Sequence, residues 1–263
     1  MSTLSENVAK VTAAHAALKE AIAAKGVTVP DGTKLSGMPA LVGQIETPPD
    51  MTESLGFYEQ SYKAFINVPA VVFVDFTKTT SVGKCFDSCS SLIDLTLPAG
   101  FGMNASQGAY RCFASCVKLR TLSLPSGFAP RGSFSDMFAN CSSLTSLTLP
   151  DGCGRSITQA NRMFYGCSSL TSLTFPDDFG GNARFSSAFS GCVNLENVVG
   201  GIRYGKSINF SDCTKLTHDS LVNIITALSN TSIANTLTLG ATNLAKLTDE
   251  EKKIATDKGW TLA

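Results

Sequence analysis

The 263-residue chain carries 21 basic and 21 acidic side chains, so its formal charge is zero and it lacks the dense positive patch that nucleic acid or an anionic membrane surface requires. Hydrophobic residues make up 43% of the sequence, and 22 glycines with many Ser and Thr favour a turn-rich architecture over a helical bundle. Because we see no continuous apolar stretch of spanning length and no secretory leader pattern in the first thirty residues, we expect no membrane insertion and leave the location of the protein open.

The first predicted element is a helix over residues 4–22. Its seam positions alternate in spacings of four and three: Leu4, Val8, Val11, His15, Leu18 and Ile22. This is the pattern of a short coiled coil, which predicts a homo-oligomer formed through residues 4–22. An amphipathic helix that docks on its own chain has the same pattern, so both interpretations stand. We expect the helix to stop at Gly26.

A turn-rich phrase, KGVTVPDGTKL, follows the predicted helix. The helix and this phrase together resemble the leader segments of phage and prophage tail-fibre or baseplate-associated proteins. The resemblance implies an oligomerising stalk that carries a repeat-built tip on a virion. We therefore assign residues 1–47 to an N-terminal helix and turn-rich segment. Residues 48–84, with a proline-rich start and an apolar run at 68–76, are predicted to form a linker and an atypical first rung.

From residue 85 onward the sequence repeats. Successive copies read CFDSCSSLIDLTLP, CFASCVKLRTLSLP, MFANCSSLTSLTLP and MFYGCSSLTSLTFP, followed by a degenerate copy and by a sixth, shortened copy, NFSDCTKLT, that contains Cys213. The second cysteine of each copy steps through Cys89, Cys116, Cys141, Cys167 and Cys192, at intervals of 27, 25, 26 and 25. A regular period of this length predicts a solenoid over residues 85–213, in which each rung buries its apolar side against its neighbours.

Each copy predicts one short strand and three core columns. In the third copy, Leu147 and Leu149 lie on one face of the strand, Thr148 lies on the other, and Pro150 ends the strand. The leucines, the cysteines and the phenylalanine three residues before each cysteine are predicted to form continuous columns in the core. The variable segment at 155–163 is predicted to form a turn and a second, weaker strand that closes the rung.

The phrase from Met137 to Pro150 resembles the BspA-like leucine-rich repeat family of bacterial surface proteins, over roughly residues 85–202. This resemblance implies a leucine-rich repeat solenoid, mainly β with short strands and turns. With the N-terminal helix and the α/β C-terminal cap described next, this is our predicted fold class. The resemblance also implies attachment to host or matrix proteins, and hence a cell-surface or extracellular location.

Residues 214–263 break the period and are predicted to form a C-terminal helical cap. Leu221, Ile224, Ile225 and Leu228 lie on one helical face, and residues 236–240 resemble a strand. The spacing of Thr248 and Glu251 is that of a capping box that begins a last helix. We expect Trp260 to pack in the cap.

Chemistry-bearing residues are sparse. The two C-x-x-x-C pairs of the first copies, Cys85/Cys89 and Cys112/Cys116, have the donors for a zinc site. Other copies place Met or Ala at the first position, which favours buried, reduced core cysteines instead. His15 and His218 lie at opposite ends of the chain, and no spacing pairs two carboxylates. We therefore predict no catalytic residues, no metal and no cofactor, and a protein that is not an enzyme.

The strand residues that point away from the core are mainly Ser and Thr. The predicted binding face comprises Asp94, Thr96, Thr121, Ser123, Ser146, Thr148, Ser172 and Thr174. Such a face can hydrogen-bond a protein or a glycan, although Ser and Thr are also ordinary solvated strand residues. Exposed aromatics of the variable segments, such as Tyr110 and Tyr165, are comparable candidates. The sequence predicts a non-catalytic binding or adhesion module, with a structural or receptor-binding part of a phage tail as the alternative.

Overall fold

A computed structural model describes residues 81–97, 99–181, 183–200, 203 and 205–263, and the single positions 16, 19 and 20. The predicted N-terminal helix, the turn-rich phrase, the linker and nearly all of the predicted first rung lie outside these residues. In the described part of the chain, none of the helices is both long enough and apolar enough to cross a membrane.

The leucine motif of each repeat forms one three-residue strand, and these strands line one side of the solenoid. They are β1 (Asp94–Thr96), β2 (Thr121–Ser123), β4 (Ser146–Thr148), β6 (Ser172–Thr174) and β7 (Asn197–Val199). We call this series the main sheet. Its paired strands are parallel, because every rung runs in the same direction, and paired residues are repeat equivalents, as Leu147 and Leu173 are.

A second series of parallel strands closes the rungs. It comprises β3 (Gly132–Ser133), β5 (Ile157–Gln159), β8 (Ile208–Asn209), β9 (Asn235–Thr238) and β10 (Trp260–Leu262). β3 pairs with β5, and β8, β9 and β10 form one sheet with β9 at its centre. The strand predicted in the variable segment 155–163 is thus confirmed as β5.

Stacked aromatic rings form the axis of the core. One phenylalanine of each repeat lies on that of the next, with ring centroids 5.3, 5.4, 5.5, 5.6 and 4.4 Å apart, in the column Phe86, Phe113, Phe138, Phe164, Phe189 and Phe210. All six rings are buried. Offset stacking adds favourable ring–ring interaction to the burial of apolar area. The predicted phenylalanine column is therefore confirmed.

Left-handed backbone lies on both sides of the first five phenylalanines of this column. The residue two before each phenylalanine has a φ of 52–56° in the five repeats with Lys84, Arg111, Asp136, Arg162 and Ser187. A second left-handed column comprises Ser88, Ser115, Asn140, Gly166 and Gly191. Only glycine adopts this region without strain, so the non-glycine corners depend on stacking for their geometry. At Gly166 space is also limiting, because a Cβ there would lie 2.6 Å from Asn140 Oδ1.

The end of the main sheet is covered by helix α1 (His218–Thr226). Leu221, Ile224 and Ile225 are buried beneath it, as their spacing predicts. Polar side chains of the helix replace the missing neighbour strand of β7. The Val198 N–H donates to Ser220 Oγ (3.0 Å), Ser220 Oγ donates to the Glu196 carbonyl (2.9 Å), and Asn223 Nδ2 donates to the Gly200 carbonyl (3.1 Å).

The rest of the C-terminal cap combines helices with strands. α2 (Gly240–Leu244) follows β9, and α3 (Asp249–Asp257) begins at the predicted capping box of Thr248 and Glu251. The strand β10, which the sequence pattern did not predict, continues the closing sheet. Trp260 is buried, and its Nε1–H donates to the Ser229 carbonyl (2.8 Å).

Candidate binding face and its cleft

All eight residues of the predicted binding face lie on main-sheet strands, with side chains on the side away from the core. Those on β1, β2 and β4 are exposed and those on β6 are half-buried. The pairing brings Asp94 beside Thr121 and Ser146 beside Ser172. Asn197 continues the first column on β7. The polar face is therefore a geometric fact, and its use in binding is a proposal.

The hydrogen-bonded ladder of the main sheet is interrupted at one place. β1 pairs with β2, and β4 pairs with β6 and β7, whereas β2 and β4 are not paired with each other. Immediately before the repeat proline, the amides of Leu97, Leu149 and Phe175 each donate to the next strand, at 2.9–3.0 Å. Within the described residues, the equivalent amide of Leu124 has no main-chain acceptor on β4.

The other end of the strand shows the same interruption. The Arg120 and Thr171 amides donate to the carbonyls of Ile93 and Thr145 in the preceding rungs, at 2.7 and 2.8 Å. The Thr145 amide is their repeat equivalent, and it makes no corresponding bond to the rung of β2 among the described main-chain bonds. Two neighbouring strand edges therefore face each other unpaired, and we call this the open junction.

A cleft of about 360 Å³ lies at the open junction. Five of the eight residues predicted for the binding face line it, namely Thr96, Thr121, Ser123, Ser146 and Thr148. Leu95, Leu122, Leu124, Leu147 and Pro150 supply the apolar part of the lining. The cleft thus combines an apolar floor with hydroxyl groups and with main-chain groups of the two open edges.

The lining of the cleft is uncharged, since its ten residues are all Leu, Pro, Ser or Thr. One carboxylate lies next to it: Asp94 accepts a hydrogen bond from the Thr121 hydroxyl. Because a hydroxyl has a single proton, Thr121 Oγ1 can only accept a hydrogen bond from any group in the cleft.

The opposite side of the same two rungs is closed. The Phe113 amide donates to the Met137 carbonyl (2.8 Å), and the Ser115 amide donates to the Ala139 carbonyl (2.7 Å). The Cys141 thiol donates to the Phe113 carbonyl (3.1 Å). The rungs therefore separate only on the main-sheet side, and the core below the cleft is continuous.

The cysteines belong to the core. All nine are free and buried. Besides Cys141, the thiols of Cys116, Cys167 and Cys192 each donate to a phenylalanine carbonyl of the preceding rung at 3.1 Å. Burial raises the pKa of Cys141 to about 12, so the thiol stays protonated at neutral pH and is a poor nucleophile.

The zinc alternative raised by the first two C-x-x-x-C pairs has no geometric support in the described residues. No group of three or more His, Cys, Asp and Glu side chains there is arranged to hold a metal ion. The Cys116 thiol faces the Phe86 carbonyl, and burial, followed by a hydrogen bond with Cys85, raises the pKa of Cys112.

Ion pairs between rungs lie at the corners. Arg111 binds Asp87 through two nitrogens, at 3.1 and 3.2 Å, and this hydrogen bonding raises the pKa of Arg111 further. Arg162 repeats the pairing two rungs later with Asp136 (3.0 Å). These pairs stabilise the stacking of corners and leave the cleft uncharged.

The two tyrosines considered as alternative contacts also lie at the corners. The Tyr110 carbonyl accepts from the Lys84 amide, and the Tyr165 carbonyl accepts from the Asn140 amide. The Arg162 guanidinium lies 4.2 Å from the centre of the Tyr165 ring. The structure therefore does not bring these tyrosines to the cleft.

Comparison with known families gives a match on the repeats. The model described as "BspA type Leucine rich repeat region" matches six copies, over residues 59–180 and 135–254, which is more than half of the chain. The chain belongs to this family. The resemblance read from the sequence is thus confirmed, and so is the leucine-rich solenoid. No curated protein matches the chain.

Two solved structures are similar to this BspA-type chain. The leucine-rich repeat protein of T. pallidum is 23% identical, with a TM-score of 0.46 over 69% of this chain and 77% of the other. A leucine-rich cell surface protein from Faecalibacterium prausnitzii is 25% identical, with a TM-score of 0.35 over 51% of this chain and 31% of the other.

Sequence reasoning identified the polar face but missed the cleft within it. The strands at the open junction read TLSLP and SLTLP, and those at the intact junction read SLTLP and SLTFP. These phrases are nearly the same, so the strand sequence carries no signal of the interruption. One nearby irregularity is a register shift between Gly132 and Ser133, where β3 pairs with β5.

Proposed function

We propose that this protein is a non-catalytic binding module that presents its main sheet to a protein or glycan partner at a cell surface. The observation that carries the proposal is the cleft at the open junction, which coincides with the polar face chosen from sequence alone. Concave sites with an apolar lining and a few convergent polar groups are where proteins bind ligands.

The scaffold supports this role because its packed core continues without a break below the cleft. Stacked phenylalanines and the thiol bond of Cys141 run through the open junction without a break. A site held by a packed core loses little conformational entropy on binding, which favours affinity.

A non-catalytic role agrees with the chemistry of the described residues. Burial raises the pKa of the Cys153 thiol, as it does for Cys141, so these side chains lack the thiolate of a nucleophile. His218 hydrogen-bonds Glu251 (2.9 Å) in the cap, and neither residue lines the cleft.

A screen of the full chain against immobilised glycans and matrix proteins tests the proposal. We expect at least one specific ligand, whose affinity falls about 10-fold or more in Ser146→Trp, because an indole there fills the cleft. Asn197→Trp is the matched control, since Asn197 lies in the same column two strands away. Absence of any ligand, or an equal loss in both variants, would contradict the proposal.

A second candidate is a structural or receptor-binding part of a phage tail. It is supported by the KGVTVPDGTKL phrase and by the seam of residues 4–22. In this role the seam forms a homo-oligomeric stalk and the main sheet contacts the host. Light scattering on the full chain and on residues 51–263 tests it: the full chain is expected to be oligomeric and the shorter chain monomeric. If both the full chain and the shorter chain are monomeric, the stalk hypothesis is wrong.

A further inference from the structure

We infer that the cleft at the open junction binds a neutral saccharide, with sugar hydroxyls bridging the unpaired edges of β2 and β4. This inference rests on the proposed function and specifies the chemical class of its ligand. Four observations carry it: the unpaired main-chain groups, the distance between the strands, the mixed lining and the lack of charge.

The open junction offers both donors and acceptors. The unpaired donors are the amides of Leu124 and Thr145. Their missing acceptors follow from the intact junctions: the Leu149 amide donates to the Thr174 carbonyl, so the equivalent acceptor for Leu124 is the Thr148 carbonyl. Water can satisfy these main-chain groups in the free protein, so a ligand that takes its place must both donate and accept hydrogen bonds. A sugar hydroxyl does both.

The distance between the edges excludes insertion of a peptide strand. Cα atoms of β2 and β4 still come within 8 Å of each other. An added strand needs two spacings of about 4.8 Å, or roughly 9.6 Å, between the flanking strands. Single hydroxyl groups that enter from the solvent side fit the narrower gap, as bridging waters do elsewhere.

The lining suits a sugar ring because it combines apolar surface with hydroxyl groups. Leu122 and Leu124 are half-buried and offer apolar surface to the C–H groups of a pyranose. Ser123, Ser146 and Thr148 add hydroxyl groups to the lining of the same cleft. The volume of about 360 Å³ is at the small end of ligand sites, which suits a mono- or disaccharide unit.

Charge selects a neutral ligand. The lining has no cation to balance an acidic or sulfated sugar, and the Asp94 carboxylate lies beside the cleft. The Thr121 hydroxyl donates its hydrogen bond to Asp94, so its oxygen can only accept from a ligand group that donates. A sugar hydroxyl meets this requirement, and a carboxylate or sulfate does not.

Ligand-observed saturation-transfer NMR on the full chain tests this inference. The probes are neutral hexoses, N-acetylhexosamines, deoxyhexoses and their disaccharides, each compared with uronic acid, sialic acid and sulfated sugars. We expect transfer to at least one neutral probe and less or none to the anionic ones. Ser146→Trp is expected to abolish it and Asn197→Trp to preserve it. Thr121→Val is expected to weaken the affinity roughly 2- to 10-fold, whereas Thr174→Val, outside the cleft, leaves it unchanged.

The possible outcomes separate this inference from the proposed function. A protein ligand that is lost in Ser146→Trp, together with no transfer to any saccharide, overturns the inference and leaves the binding module intact. A preference for anionic sugars, or equal transfer in Ser146→Trp and wild type, also overturns it. No ligand of either kind overturns both.

Discussion

Two neighbouring junctions of the solenoid have nearly the same sequence and differ in one property. Between β4 and β6 the strands form a full ladder, with Leu149 bonded to Thr174. Between β2 and β4 they do not, although the rings of Phe113 and Phe138 stack 5.4 Å apart, as closely as the next pair at 5.5 Å. The rungs are thus aligned by the core, and strand pairing is a separate contribution that one junction lacks.

The difference shows where a repeat protein can place a site without losing its stacking. The phenylalanine column, the cysteine bonds and the corner amides keep rungs two and three in register. The main-sheet edge is then free to leave donors and acceptors unpaired.

The largest expected effect is on the shared aromatic column. Phe138 stacks on both neighbours, so Phe138→Ala removes contacts from the open junction and from the intact junction between β4 and β6 together. We expect the free energy of unfolding to fall by about 3–5 kcal/mol, measured by urea denaturation. A loss below about 1 kcal/mol would mean that the column does not hold the rungs together.

The covered edge of β7 provides the next comparison. Ser220→Ala removes the acceptor of the Val198 amide and leaves a buried donor unpaired. We expect a loss of about 1–3 kcal/mol in the free energy of unfolding. Ser123→Ala, at the open junction, is the control and should cost little, because Ser123 is exposed. Equal losses would contradict the idea that one edge is satisfied and the other is free.

Substitution of two core cysteines tests whether the core is continuous below the cleft. The Cys141 thiol donates a hydrogen bond across the open junction and the Cys167 thiol donates one across the intact junction, both at 3.1 Å. Cys141→Ala and Cys167→Ala should each cost about 1–2 kcal/mol, from lost burial and a lost hydrogen bond. We expect the two costs, measured in urea, to agree within about 0.5 kcal/mol. A much smaller cost for Cys141→Ala would mean that the open junction extends into the core.

The smallest expected effect concerns pH and the cap. The hydrogen bond to Glu251 raises the pKa of His218 above 6.5. The contribution of His218 to the stability of the fold is therefore complete below that pH and is lost as pH rises through the folded-state pKa. A backbone bond from Thr248 is the main cause that lowers the pKa of Glu251 below 4.5, so its contribution is lost in acid.

The pair of His218 and Glu251 should therefore stabilise the cap most between pH 4.5 and pH 6.5, the ordinary pKa values of the two side chains. We expect the melting temperature to fall slightly from pH 6 to pH 8, and we expect His218→Gln to reduce this slope. An unchanged slope in the variant would show that His218 does not cause this pH dependence. Substitutions at the open junction should leave the slope unaltered.

Much of the fold follows from sequence because the period fixes it. Repeating Leu, Phe and Cys set the rungs, Pro150 and its equivalents mark strand ends, and Thr248 with Glu251 marks the last helix. The left-handed residue two before each phenylalanine was not predictable, since four of the five such positions carry Lys, Arg or Ser, which have no preference for this conformation, and tertiary stacking imposes it. The open junction was not predictable either, because hydrogen bonds between rungs depend on small shifts that the strand residues do not encode.

Amide hydrogen exchange at one repeated position tests the open junction most directly. Leu97, Leu124, Leu149 and Phe175 occupy equivalent sites before the repeat proline or its equivalent, and only Leu124 lacks a main-chain acceptor among them. We predict that the Leu124 amide exchanges about 10-fold or more faster than the Leu149 amide, measured by NMR in the free protein. Equal protection of Leu124 and Leu149 would show that β2 and β4 are paired, which would contradict both the open junction and the binding site placed there.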